Sequence, residues 1–126
     1  MKKDLLYPVL LFTILILSSP DNIRAQPNYT VVSLSSNEGL PTDEVKKVFQ
    51  DKQGFIWMAT PEGLIRYDGY NFKVYSTARY LSKGLITNLF FDISQDSKGN
   101  LWCATDHGVA KLNPNTDDFL FLIQSD

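Results

Sequence analysis

Gln50-Asp51-Lys52-Gln53-Gly54-Phe55-Ile56-Trp57-Met58-Ala59-Thr60-Pro61-Glu62-Gly63 returns, 45 positions on, as Gln95-Asp96-Ser97-Lys98-Gly99-Asn100-Leu101-Trp102-Cys103-Ala104-Thr105-Asp106-His107-Gly108. Extended outward without a gap, Gly39–Asp68 lies over Gly84–Asn113, and ten of thirty positions are identical. Besides the Gln-Asp pair, the identities are Gly39/Gly84, Leu40/Leu85, Thr42/Thr87, Gly54/Gly99, Trp57/Trp102, Ala59/Ala104, Thr60/Thr105 and Gly63/Gly108. Segments drawn at ordinary residue frequencies would share about two. Val48/Ile93, Ile56/Leu101, Leu64/Val109 and Arg66/Lys111 keep their character. A period of 45 is that of β-propeller blades and of some helical arrays.

Local pattern separates those two. Each repeat consists of short β-type runs between turn residues, with no ten-residue helical stripe. Val45–Gln50 and Phe90–Gln95 read as first strands, Phe55–Thr60 and Asn100–Thr105 as second. Leu64–Tyr67 and Val109–Leu112 read as third, Phe72–Ser76 and Phe119–Ile123 as fourth. Four strands in such a period make one blade. The second strands are apolar on both faces, as a sheet sandwiched between neighbouring blades requires. Gly54, Gly63, Gly69, Gly99 and Gly108 fall too often for helices. The expected fold is therefore all-β: two four-stranded antiparallel β-propeller blades, a fragment of a larger propeller.

The repeated polar residues have turn chemistry. Asp51 and Asp96 can each accept from a backbone N–H two residues on, with Gly54 and Gly99 supplying positive φ. Thr60-Pro61-Glu62-Gly63 and Thr105-Asp106-His107-Gly108 join the second and third strands. A calcium loop would need more acids at alternate positions than Lys52 or Lys98 allows. Trp57 and Trp102 lie mid-strand in apolar runs and are expected to pack between blades rather than stack on sugars. Cys103 aligns with Met58 and is expected to be a small buried hydrophobe. His107 aligns with Glu62, so no shared catalytic role is carried there, and an exposed turn position is expected. Asp51, Gly54, Trp57, Thr60, Gly63, Asp96, Gly99, Trp102, Thr105 and Gly108 thus form a structural motif. No residue is assigned a catalytic, cofactor-binding or metal role.

The remainder of the chain bounds its class. Of 126 residues, 44% are hydrophobic, and 12 Lys and Arg stand against 14 Asp and Glu. A net charge of −2 excludes a strongly basic nucleic-acid binder, and one cysteine excludes an internal disulfide. Met1-Lys2-Lys3 precedes the uncharged run Leu5–Leu17, and Ser18-Ser19-Pro20 breaks it before Ile23-Arg24-Ala25. That layout predicts a signal peptide over 1–25, the run being shorter than a membrane span. Residues 26–126 are then a partial β-propeller, with repeat 1 at about 35–76 and repeat 2 at about 80–123. Export to the periplasm or secretion follows.

The pattern G-L-P-x-x-x-V-x-x-[VI]-x-Q-D-x-x-G-F-I-W-x-x-T-x-x-G-L-x-R-Y-D resembles the two-component regulator propeller repeat. Gly39–Asp68 matches nearly throughout. Gly84–Asn113 departs at Ile86, at Val109 and at Leu112-Asn113. The resemblance implies the periplasmic sensor region of a hybrid two-component protein, whose parent is a histidine kinase of the inner membrane. It further implies oligosaccharides as ligand. The implied partners are the remaining propeller blades, with no nucleic acid in this segment and the membrane reached only through downstream parts. Two blades cannot close a ring, since propellers have about four to eight. The chain therefore reads as an N-terminal sensor fragment without enzymatic activity. The alternatives are a piece of an exported propeller enzyme such as a lyase, or a non-functional truncated product.

Overall fold

The computed structural model describes residues 28–122. Residues 28–32 belong to a unit separate from the one that begins at Ser33, and carry no helix or strand. The expected signal peptide lies outside the described residues.

Among the described residues, eight strands form two four-stranded antiparallel sheets, each a meander in chain order. Blade 1 contains β1 (Lys47–Gln50), β2 (Ile56–Thr60), β3 (Gly63–Tyr67) and β4 (Phe72–Tyr75). Blade 2 contains β5 (Phe90–Gln95), β6 (Leu101–Thr105), β7 (Gly108–Asn113) and β8 (Asp118–Leu122). One short helix, α1 (Thr77–Tyr80), and the 3-10 turn Leu81–Lys83 connect the blades. The first strand of blade 1 begins at Lys47 rather than Val45, although Lys46 N–H still donates to Ala59 O at 2.8 Å.

Registers show how closely the repeats correspond. Trp57 pairs with Arg66 and Arg66 with Lys73; forty-five residues on, Trp102 pairs with Lys111, but Lys111 pairs with Leu120. The last strand is offset by two because the β7–β8 hairpin carries one more pair, Asn113 with Asp118, before an equally long turn, whereas β3 and β4 close at Tyr67 with Phe72. Phe91 is an extra residue in β5, a β-bulge between Phe90 and Asp92. The segment entering each blade turns at a glycine in the left-handed region, Gly39 at φ 92° and Gly84 at φ 90°. A Cβ on Gly84 would lie 2.3 Å from the Phe119 carbonyl oxygen, so only glycine fits beneath β8.

The period of two decides what each face buries. One face of blade 1 presents Trp57, Ala59, Leu64 and Tyr75; these meet Leu85, Leu101, Cys103, Ala110, Leu112 and Phe119 of the second repeat in one continuous core. Burying side chains of this size stabilises by about 1.5–3 kcal/mol each. The opposite face of blade 1 holds a smaller cluster of Leu40, Met58 and Ile65. Each repeat thus offers its tryptophan face forward and its Leu-Met or Leu-Cys face backward. Cys103 is buried where Met58 stands in the other repeat, and burial pushes its thiol pKa up to about 12.

Candidate functional site

The repeated motif folds into an aspartate-centred turn bonded to a tryptophan. Asp51 Oδ1 accepts from the backbone N–H of Gln53 at 2.9 Å and of Phe55 at 3.0 Å. Asp51 Oδ2 accepts from Trp57 Nε1–H at 2.7 Å. Asp96 repeats this, its Oδ1 accepting from Lys98 and Asn100 N–H, both at 2.9 Å, and its Oδ2 from Trp102 Nε1–H at 2.9 Å. Asn100 Nδ2 adds a fourth bond at 3.0 Å. The Trp102 and Asn100 bonds hold the Asp96 carboxyl well below the usual carboxylate range. A buried indole N–H without a partner is costly, and the turn carboxylate supplies one. The spacing of six between Asp and Trp, present in both repeats, was the available signal for this bond. The turn reading of Asp51 and Asp96 captured only one of their two oxygens.

Arg66 lies over the Phe55 ring at 4.7 Å and Lys111 over the Trp102 ring at 5.3 Å, so each third strand sets a cation on an aromatic ring of its own blade. In the next hairpin, Thr60 Oγ1 donates to Gly63 O at 2.7 Å and Thr105 Oγ1 donates to Gly108 O at 2.8 Å. All ten motif residues therefore sit in turns or in the strands they brace. Asp51 is 5% exposed and its oxygens are occupied by protein donors.

Trp57 and Trp102 differ in one respect. Trp57 is fully buried beneath blade 2, whereas Trp102 is half-buried. The expectation that both second strands are covered on both faces holds for β2 and fails for β6. In β6, Leu101 and Cys103 face blade 1 and are buried, while Trp102 and Thr105 are half-buried and Ala104 is exposed. No strand of the described residues packs on that side.

Residues that strand patterns did not single out tie the blades together. Lys52 N–H donates to Gln95 Oε1 at 2.9 Å, and Lys52 Nζ donates to Asp96 O at 3.3 Å. At the outer edge, Asp117 accepts from Lys73 Nζ at 2.6 Å and from Tyr75 Oη–H at 2.8 Å. Asp117 has φ 59°, a left-handed conformation that asparagine and aspartate tolerate best. Tyr75 also stacks on Trp57 with centroids 5.6 Å apart.

His107 lies in its exposed turn, where Nδ1 is 3.0 Å from Asp106 Oδ1. Asp106 Oδ1 also accepts from Thr87 Oγ1 at 2.6 Å. The His107 and Thr87 bonds lower the Asp106 pKa. This cluster joins the β6–β7 turn to the segment entering blade 2, and it presents no pairing of nucleophile and base.

Two successive meanders stacked forward-face to backward-face define tandem β-propeller blades. Residues 39–62 and 84–107 match the two-component regulator propeller family model. A curated histidine kinase P4 of Formosa agariphila is 36% identical over 70 residues, which is 55% of this chain and 5% of that protein. The extracellular domain of BT3049, assigned to a hybrid two-component system of B. thetaiotaomicron, superposes with a TM-score of 0.62. It is 32% identical and covers 71% of this chain, which spans 13% of it. The extracellular domain of BT4673, assigned to a one-component system of the same organism, gives 0.54 at 26% identity over 68% of this chain and 12% of its own. The chain thus resembles a small part of the extracellular domains of a hybrid two-component system and of a one-component system. No helix among the described residues is long and apolar enough to cross a membrane.

Proposed function

We propose that this chain supplies opening blades of a periplasmic sensor propeller in a hybrid two-component protein, and that the assembled propeller responds to oligosaccharides. The observation that supports this most is the pair of regulator-propeller repeats in a fold shared with the BT3049 extracellular domain. The open Trp102 face agrees with further blades as partners. Residues 1–25 serve as the export signal, and residues 26–126 are the propeller portion.

A ring ligand draws contacts from loops of several blades, and two blades supply an arc. The Asp-Trp turns are committed to structure, so ligand contacts come from connecting loops such as Thr105–Gly108. A ligand signals only if it binds one arrangement of the extracellular region better than another and so biases the attached kinase. Calorimetry against polysaccharide digests tests the reading. This chain alone gives no saturable heat, and the complete extracellular region gives a saturable one. Absence of binding by the complete region would refute the oligosaccharide ligand, and glycan turnover by this chain would favour an enzyme.

A further inference from the structure

We propose that the parent protein's blade covering the Trp102 face meets it through an apolar outer rim, not through the ionic clasp that joins blades 1 and 2. This rests on the sensor reading above, which puts further blades on that face, and adds the chemistry of the contact. The joint inside the chain is the template. Its rim is ionic, with Asp117 of blade 2 accepting from Lys73 Nζ at 2.6 Å and from Tyr75 Oη–H at 2.8 Å in blade 1. By register, Trp57 shares a row with Arg66 and Lys73, and Ala59 with Leu64 and Tyr75. In blade 2 the same rows run Trp102, Lys111, Leu120 and Ala104, Val109, Leu122. Leu120 and Leu122, 59% and 50% exposed, therefore stand where Lys73 and Tyr75 stand. Lys111 lies over the Trp102 ring at 5.3 Å, as Arg66 lies over Trp57 at 5.8 Å, so it takes the place of Arg66 and not of Lys73. Asp118, two residues before Leu120, already holds Lys83 Nζ at 3.1 Å and repels a second acid. A carboxylate brought against these leucines would lose water and gain no donor. The covering blade therefore carries an apolar side chain at the position of Asp117.

A second difference lies at the inner strand. Phe49 of β1 pairs with Trp57, and its counterpart beside Trp102 is Ser94. A hollow of about 210 Å³ lies on this face, bounded by Ser94, Trp102, Ala104 and Val109. Interiors pack without voids of that size, so the covering blade seats a large apolar side chain there. It comes from that blade's first strand, as β5 brings Phe90 and Ile93 into the core shared with blade 1. The turns, by contrast, repeat. Lys52 N–H donates to Gln95 Oε1 at 2.9 Å, and its counterpart Ser97 has an N–H with no partner among the described residues. A glutamine at the Gln95 position of the covering blade completes that bond. The two joints thus share a hydrogen bond at the turns and differ at the rim and the inner strand.

Thermal unfolding of this chain and of the complete extracellular region tests this, with circular dichroism to verify folding. Leu120→Lys leaves the midpoint of this chain, where Leu120 is exposed, within about 2 °C. The same change lowers the midpoint of the complete region by about 4 °C or more. An aspartate then placed at the covering blade's Asp117 position rebuilds a pair like Lys73–Asp117 and recovers at least about half of that loss. A complete region stabilised by Leu120→Lys would reveal an acid at the rim and overturn the rim chemistry alone, leaving the sensor reading in place. Leu120→Lys without effect on either protein would overturn the proposal together with the covering blade that the sensor reading supplies.

Discussion

Blade 1 and blade 2 carry the same aspartate-tryptophan turn, yet one tryptophan is sealed and the other half-exposed. The difference does not originate in the turns, whose bonds agree within 0.2 Å at the indole. It originates in what lies forward of each sheet. Blade 1 has the Leu101, Cys103 and Leu112 face of blade 2 against its tryptophan. Blade 2 presents Trp102, Val109, Leu120 and Leu122 with no described strand in front of them. Local sequence builds each blade, and the neighbouring blade completes its core. Repeat proteins share this division, with stability split between units and their interfaces.

The comparison breaks most sharply under truncation of each tryptophan. Trp57→Ala should destabilise by about 3–5 kcal/mol, since it empties a closed core and strips the buried Asp51 of its indole donor. Trp102→Ala should cost about 1–2 kcal/mol, because part of that side chain already meets solvent. Urea unfolding of both variants gives the values. Equal losses would mean that blade 2 does not seal blade 1.

Acid gives a smaller, graded effect on the joint. Burial raises the pKa of Asp117, but the bonds from Lys73 and Tyr75 outweigh it and leave the carboxyl below its ordinary value of 3.8. A carboxylate with a depressed folded-state pKa stabilises the fold above its unfolded value, and that contribution fades as pH falls through the folded one. Stability should therefore decline as pH drops below about 4, and Asp117→Asn should flatten the decline. Unfolding midpoints measured between neutral pH and strong acid give the slope for both proteins. An unchanged slope in Asp117→Asn would remove Asp117 from the inter-blade joint.

Much of this architecture was legible in the sequence because turns punctuate it. Gly54, Gly63, Gly99 and Gly108, all at positive φ, mark hairpin ends that the 45-residue identity places twice. Strand identity followed, with ends displaced by one or two residues where fraying decides them, as at Val45 and Lys47. The four-residue helix Thr77–Tyr80 left no trace, being too short to show a period. Contacts between repeats were hidden for a different reason. Gln95 looks like half of a turn motif until Lys52 is brought beside it. Asp117 looks like a solvated turn residue until Lys73 and Tyr75 converge on it. Such pairings span more than forty residues, and strand periodicity holds no information about them. The half-exposure of Trp102 was likewise invisible, because its local sequence equals that of a residue that is sealed.

Acrylamide quenching of tryptophan fluorescence reads the difference between the blades most directly. Trp102→Phe leaves Trp57 as sole emitter, and Trp57→Phe leaves Trp102, each measured at dilutions where the chain is monomeric. The account predicts that Trp57 is nearly unquenched and Trp102 strongly quenched, with the bluer emission from Trp57. Equal quenching of the two would contradict a sealed first blade and an open second one.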